Sequence, residues 1–465
     1  MLEEEDIKLM EYLENKKKSV IAITVGIVLL LSVYFLPLPG LESLNSDMRG
    51  ALGILLLAAV LWITEAIPLY ATSLVIVLSQ ILMLSEESVT ANEVLAPFFN
   101  TIIALFFGGF VLAAALSKYD VDAKLARQML EIVGKSPKRI MLGLMLITMF
   151  LSMWMSNTAT TALMMALAFP IYTQIPKEEK FSKAMILGIP FAANIGGMGT
   201  PIGTPPNAII IETLGRNGFR LTFLDWMRIA LPLTLVMFLF VYLLLYYAFK
   251  PSVKSLDISL KRGTSEGFSR NQKFVLLIFG ITVFLWLTSS LPIVESLFRS
   301  AGIIALIPAI VFFSVGLLGK EDLASLNWNV LLLMGGGMSL GNAISSTGLD
   351  EWLVGLIDHR ALGLVLVIAV FSALAIILST FMSNTATASL LAPIMMLIGL
   401  DLGPSVSIMA SIALACSMAM ALPVSTPPNA IAYGTEMIDI KDMVLYGSII
   451  GVVGVILLTL LFGIL

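Results

Sequence analysis

Apolar runs of about 20 residues recur from one end of this 465-residue chain to the other, separated by short polar clusters. Each is about long enough to cross a ~30 Å hydrocarbon layer as a helix. Uninterrupted spans are predicted at residues 20–38, 50–66, 69–84, 101–117, 229–249, 274–291, 301–318, 327–344 and 444–465. Four stretches break the pattern. Residues 140–175 carry no charge over 36 positions, which as one helix is about 54 Å, too long for one crossing and too short for two with a turn. The polar triplet Ser156-Asn157-Thr158 sits at the middle, so the economical solution is a re-entrant hairpin that dips into the membrane and returns. Residues 361–400 repeat the arrangement around Ser383-Asn384-Thr385. Residues 184–211 and 406–433 are uncharged but interrupted by glycines and by Thr204-Pro205-Pro206 and Thr426-Pro427-Pro428, and they read as broken helices. The expected fold is an all-α membrane protein with about 11 transmembrane helices plus two re-entrant hairpins.

Composition agrees: 58% of residues are hydrophobic and 12% charged, against roughly 25% charged in soluble domains. The first run follows Lys16-Lys17-Lys18 but exceeds a signal-peptide core and lacks a small-residue cleavage site, so it reads as a retained helix. With the N-terminus cytoplasmic, only Arg49, Arg216, Arg220, Arg228, Arg299 and Arg360 of the 27 Lys and Arg fall outside. That bias follows the positive-inside rule and would vanish with one crossing miscounted. Residues 118–139 read as a basic cytoplasmic segment and 252–272 as a polar joint between halves. The missing Asn-x-Ser/Thr sequon and compact loops lean towards a bacterial cytoplasmic membrane.

The interruptions come in pairs. Ser156–Thr160 recurs in the second half as Ser383–Thr387, and at the same offset Ser152 recurs as Ser379 and Gly108-Gly109 as Gly335-Gly336. Thr204–Ala208 recurs at a slightly shorter offset as Thr426–Ala430. Five crossings separate the hairpins, so the copies are inverted, the arrangement that secondary transporters use to converge discontinuous helices on one midplane site. The tips offer hydroxyls, an amide and the free N–H groups of a helix start, all suited to anionic oxygens. The prolines free the carbonyls before them, and Gly203 and Ser425 would then present hard oxygen ligands to a small cation. Two donor clusters around one cavity suit a molecule with two carboxylates. No Lys, Arg, Asp, Glu or His lies in either hairpin or broken helix, and a dianion there is costly. Na⁺ at the two carbonyl clusters is the natural neutraliser; an enzyme's nucleophile–base pair or metal cluster is not apparent, and a channel would favour a continuous lined pore. The glycine pairs read as close helix contacts, Cys416 as a buried small apolar residue, and Glu65 as a snorkelling or paired carboxylate.

Paired Ser-Asn-Thr tips and paired Thr-Pro-Pro-Asn breaks resemble the divalent anion/Na⁺ symporter family over essentially the whole chain from about residue 20. The resemblance implies a homodimer working as an elevator. Residues 1–19 would form a cytoplasmic N-terminus, 20–139 and 274–360 a scaffold, 140–249 and 361–465 the transport part, and 250–273 a cytoplasmic linker. It implies substrate contacts at Asn157, Thr158, Thr204, Pro205, Ser383, Asn384, Thr385, Thr426 and Pro427. One Na⁺ site would use Ser152, Ser156, Asn157 and Gly203, the other Ser379, Met382, Asn384 and Ser425, with Ser379 standing where relatives often carry Thr. The expected cargo is a C4-dicarboxylate with two or more Na⁺. Beyond these and the lipid bilayer, neither an organic cofactor nor a nucleic-acid partner is expected.

Overall fold

The computed structural model describes residues 2–176, 179–252, 255–256, 267–356 and 359–464; most of the polar joint at 252–272 lies outside them. Among the described residues every regular element is helical. Both hairpins are present. The first runs through helix Pro137–Ser152 to a tip at residues 153–156 and back through Asn157–Tyr172. The second runs through His359–Phe381, kinked at Gly363 (φ 70°), and returns through Asn384–Leu402. Both broken helices are present too: Phe181–Met198 with Pro205–Arg216, and Ser405–Cys416 with Pro427–Tyr433. Each second segment opens on Pro at its first position, where the missing N–H costs nothing and the fixed φ suits a helix start.

The polar contacts at helix ends test the crossing count. Lys118 pairs with Asp322 at 2.6 Å, Lys183 with Asp439 at 2.7 Å and Asp442 at 2.6 Å, and the Lys124 ammonium donates to the Gly267 carbonyl. At the other end Asn100 Nδ2 donates to Glu212 Oε1 at 3.1 Å, and the Ser85 and Ser88 hydroxyls donate to Asp47. Each of these pairs joins segments that the sequence puts on one side, so the relative topology of the helices holds.

Three features depart from the sequence reading. The basic segment at 118–139 contains an amphipathic helix, Val121–Val133, whose Val121, Ala126 and Leu130 are buried; their four- to five-residue spacing is a helical face hidden among charges. Its counterpart in the second half is the short helix Leu349–Gly355. The span expected at 301–318 is part of a bent pair, Pro292–Phe298 and Ala301–Ser314, crossing at 69° around Arg299, which takes a left-handed conformation (φ 61°). Finally, eight helices among the described residues are long and apolar enough to cross a bilayer, nine counting the bent pair, and two of the eight are the arms of the second hairpin. The shortfall from 11 has a physical cause. The broken helices are interrupted at their middles, Leu69–Met83 is only 15 residues long, and Trp328–Ser346 is diluted by glycine, serine and asparagine.

Members of both glycine pairs pack as tightly as expected. A methyl group on Gly108 would overlap the Ala305 carbonyl, and one on Gly302 would overlap that of Thr101, so these two helices touch backbone to backbone. Gly335 and Gly336 are as crowded, but by side chains: a methyl group there would overlap the Phe98 ring and the Ser73 side chain. Gly109 differs: it lines the central cavity opposite Ile202 at ordinary contact distance.

Candidate functional site

The two hairpin tips and the two breaks meet around one cavity of about 890 Å³. Ser156, Asn157 and Thr158 line it from one tip, and Ser383, Asn384 and Thr385 from the other. Gly203, Thr204 and Pro205 come from the first break, Ser425, Thr426 and Pro427 from the second. All nine residues singled out for substrate contact therefore lie on one surface. Ser152, Ser379 and Met382 stand behind it, buried. At each tip the side chain of the N-cap serine, Ser156 or Ser383, makes no capping hydrogen bond, so the first N–H groups of both returning arms stay available at the cavity wall. Glu65 is the one Asp, Glu, Lys, Arg or His among the described lining residues. It sits at the mouth with φ 47°, ending helix Ser46–Thr64, beside Thr64, Pro68 and Asn327.

The first break is clipped by its own asparagine. Asn207 Nδ2 donates to the carbonyls of Gly197 (3.0 Å), Met198 (3.3 Å) and Thr200 (2.8 Å). In the second, Asn429 Nδ2 donates to Met420 (3.0 Å) and Leu422 (3.1 Å), the positions equivalent to Met198 and Thr200. The Asn of each Thr-Pro-Pro-Asn thus satisfies carbonyls that the interruption frees, leaving those nearer the threonine to face inward. Each tip is tied to its break by one hydroxyl: Thr200 Oγ1 donates to Met153 O at 2.5 Å, and Ser425 Oγ to Thr380 O at 3.1 Å.

Behind the first tip, one end of the Asn157 amide lies 2.6 Å from Ser152 Oγ and 3.3 Å from the carbonyl oxygens of Ala193 and Gly203. Only two arrangements satisfy such a cluster. Either the amide NH₂ turns inward and donates, or the amide oxygen turns inward and the oxygens share a cation. Hydroxyl, amide and carbonyl oxygens are the hard, neutral donors a small cation takes. Three of the four residues proposed for the first cation site converge here; Ser156 lies at the cavity wall instead, and Ala193 joins them. Behind the second tip, Asn384 Oδ1 is buried without a hydrogen-bond partner, and Ser379 Oγ, beside the Cys416 thiol, has no oxygen or nitrogen partner. Such orphaned oxygens cost free energy unless something completes them, and they suit a cation as well.

Asn194 escapes the sequence reading. It is 2% exposed, lies in the first segment of the first broken helix and reaches the opposite half: its Nδ2 donates to Thr426 Oγ1 at 3.2 Å and Asn429 Oδ1 at 3.3 Å. The available signal is an uncharged polar residue inside an apolar run whose mirror position, Cys416, is not polar in the same way.

Inverted halves, discontinuous helices and a shared uncharged polar cavity define a membrane transporter of the secondary type. The sodium:sulfate symporter transmembrane-region family matches residues 17–465, and the chain belongs to that family, whose members are transporters and not enzymes. It is 35% identical over 96% of its length to a sodium-dependent dicarboxylate transporter, SdcS, of Staphylococcus saprophyticus, covering 92% of that protein. To the SdcS of Staphylococcus aureus strain USA300 it is 32% identical, over 94% of this chain and 90% of that one. It is also 32% identical to an uncharacterized transporter of Schizosaccharomyces pombe, over 88% of this chain, which spans about half (48%) of the length of that relative. Among solved structures, MtrF of Neisseria gonorrhoeae, described as an antimetabolite efflux pump, superposes with a TM-score of 0.57 at 14% identity, over 95% of this chain and 98% of that one. The YdaH transporter of Alcanivorax borkumensis superposes with the same score and identity over 79% and 86%. At that identity the likeness extends to the fold alone.

Proposed function

We propose that this protein is a Na⁺-coupled symporter of C4-dicarboxylates such as succinate, malate or fumarate. The observation that carries the reading is the cavity shared by two inverted tips and two breaks, rich in hydroxyl, amide and N–H groups yet without a cationic side chain among its described lining residues. The donors favour carboxylate oxygens, but a dianion without a counter-charge is costly at depth in a membrane. Oxygen clusters behind each tip supply a place for co-bound Na⁺, at least one ion per half, and the ion gradient then drives uptake. Sodium dependence and dicarboxylate transport are named for the SdcS relatives, which supports the same cargo here.

The cavity mouth is formed by exposed residues at the Glu65 and Asn327 ends of their helices. With the N-terminus cytoplasmic, that end faces the cytoplasm, and the described conformation is inward-open. Transport then requires residues 140–249 and 361–465 to move as one body against 20–139 and 274–360, an elevator within a homodimer. Two charged clasps fit this division: Lys183 with Asp439 and Asp442 joins the two moving halves, and Lys118 with Asp322 joins the two static ones.

Uptake of labelled succinate into proteoliposomes with internal and external Na⁺ varied independently is the test. Saturable uptake that stops when choline replaces Na⁺ is expected, with Asn157→Asp reducing it more than ~100-fold by placing a fixed anion beside the substrate carboxylates. Uptake that persists in choline and is stimulated by internal dicarboxylate would sink symport in favour of exchange. Competition by citrate and sulfate ranks the dianions.

A further inference from the structure

The two halves of the cavity are not equivalent donors, and a single amide explains why. Asn429 Nδ2 is committed to the carbonyls of Met420 and Leu422, which fixes its Oδ1 towards Asn194. Asn194 must therefore present its NH₂ group to that oxygen, and the same NH₂ gives its second hydrogen to Thr426 Oγ1. Thr426 Oγ1 also accepts from Asn429 N at 3.4 Å. With both lone pairs of the hydroxyl engaged, its proton has no direction left but the cavity that Thr426 lines. In the first half the chain of donors is missing. Asn207 Nδ2 is committed in the same way to Gly197, Met198 and Thr200, but its Oδ1 is buried without a partner. Thr204 forms no side-chain cap bond to its helix. In the register that aligns Thr204 with Thr426, the counterpart of Asn194 is Cys416, whose thiol is a weak donor.

We propose that Asn194 is a positioning residue that locks the Thr426 hydroxyl as an oriented donor to one substrate carboxylate, so that the substrate is held firmly at the Thr426 end and loosely at the Thr204 end. This rests on the reading of the cavity as a dicarboxylate site. Discrimination between dianions then falls on the Thr204 side, where the second acidic group finds an unlocked hydroxyl.

The test is a double-mutant cycle on Na⁺-driven succinate uptake in proteoliposomes, using the wild type, Asn194→Cys, Thr426→Val and the double variant. Asn194→Cys imports the residue of the mirror position, where this fold already accommodates Cys416; Asn194→Ala is the second choice if it is poorly produced. Each single change is expected to raise the half-saturating succinate concentration ~10-fold, the worth of one hydrogen bond to a charged group, with the maximal rate nearly unchanged. The double variant should show the same ~10-fold rise and not ~100-fold, because both changes remove one donor. Thr204→Val in wild type and in Asn194→Cys should have equal, smaller effects. An additive cycle, or an Asn194→Cys that lowers the maximal rate and the thermal midpoint without moving half-saturation, assigns Asn194 a packing role and overturns the proposal. If wild-type protein takes up no succinate, the dicarboxylate reading fails and this inference with it; an active wild type with an additive cycle sinks this inference alone.

Discussion

The first tip and break are built on glycine, the second on side chains. Positions 196, 197, 199 and 203 are Gly; their counterparts in the second half are Met418, Ala419, Ala421 and Ser425. The reason lies in how each tip is fastened. In the first half the hydroxyl that holds the tip carbonyl comes from Thr200 (to Met153), and in the second it comes from Ser425 (to Thr380). Since Thr200 matches Leu422 and Gly203 matches Ser425, the same job has moved along the chain by nearly one helical turn. Freed of it, position 203 lets two backbones close up: a methyl group on Gly203 would overlap the Gly197 carbonyl, and one on Gly197 would lie 2.7 and 2.8 Å from the Asn157 amide atoms. The first cluster is therefore a tight backbone cage and the second a looser one, with its Ser379 and Asn384 oxygens unpaired. Pseudo-symmetry has preserved the polar residues of the tips while changing the means of support.

Exchanging the supports breaks the comparison most severely. Gly203→Ser, which imports the second half's residue, forces a side chain into the Gly197 carbonyl and adds a hydroxyl where Thr200 already serves. Na⁺-driven uptake should fall more than ~100-fold, because the close backbone approach that forms the cage requires glycine. The reverse exchange, Ser425→Gly, loses the Oγ bonds to Thr380 O and from Leu422 N but creates no overlap. It should retain transport, with half-saturation for Na⁺ raised by only ~3- to 10-fold for one or two lost hydrogen bonds. Equal losses for the two variants would mean that the halves are not supported differently.

Removing the serine behind each tip sharpens the contrast further. Ser152 Oγ touches the Asn157 amide at 2.6 Å, whereas Ser379 Oγ lacks an oxygen or nitrogen partner. Ser152→Ala should therefore lower the thermal midpoint with or without Na⁺. Ser379→Ala should raise it in choline, through about 1 kcal/mol of stability from relieved desolvation, and should shrink the further rise that Na⁺ gives the wild type. Thermal unfolding in Na⁺ and in choline measures both. A Ser379→Ala protein with an undiminished Na⁺ response would remove that hydroxyl from the proposed cation site.

How much of this is legible in the sequence divides along the same line. The hairpins, the breaks and the convergence of Ser156–Thr158 with Ser383–Thr385 follow from uncharged length and from the spacing of identical motifs, because inversion is a parity argument that local detail does not alter. The cage around Asn157 is half legible: Ser152, Asn157 and Gly203 come from the repeat, but Ala193 contributes a backbone carbonyl, which leaves no mark in a sequence. Asn194 stays hidden because attention to what repeats passes over what does not. The amphipathic helix Val121–Val133 stays hidden because its Lys and Arg content masks the buried face. The crossing at 301–318 reads as straight because nothing in its apolar run announces the left-handed Arg299 that bends it.

The smallest expected effect concerns the clasp that joins the halves. Lys183 lies in the first turn of the first broken helix and pairs with Asp439 and Asp442 at the start of the last helix, while its mirror position is Ser405, whose hydroxyl is buried without a partner. Hydrogen bonding to Lys183, and then its charge, hold the Asp439 carboxyl below the usual carboxylate range. A group whose pKa is lower in the folded than in the unfolded protein adds stability above its unfolded pKa and loses it as pH falls through the folded one. The contribution is therefore complete at neutral pH and disappears only below the ordinary aspartate pKa of about 3.9. Asp439 is largely exposed, with 72% of its side chain accessible, so solvent screening keeps the effect small. Asp439→Asn should lower the thermal midpoint slightly at pH 7 and by progressively less as the pH falls below the ordinary aspartate range, and high salt should erase most of the difference. Lys183→Met, which leaves Asp439 and Asp442 facing each other, should do more than Asp439→Asn at pH 7 and converge with wild type in acid. If the two variants behave alike at pH 7, Asp442 contributes nothing to the clasp, and Asp439 alone holds Lys183 there.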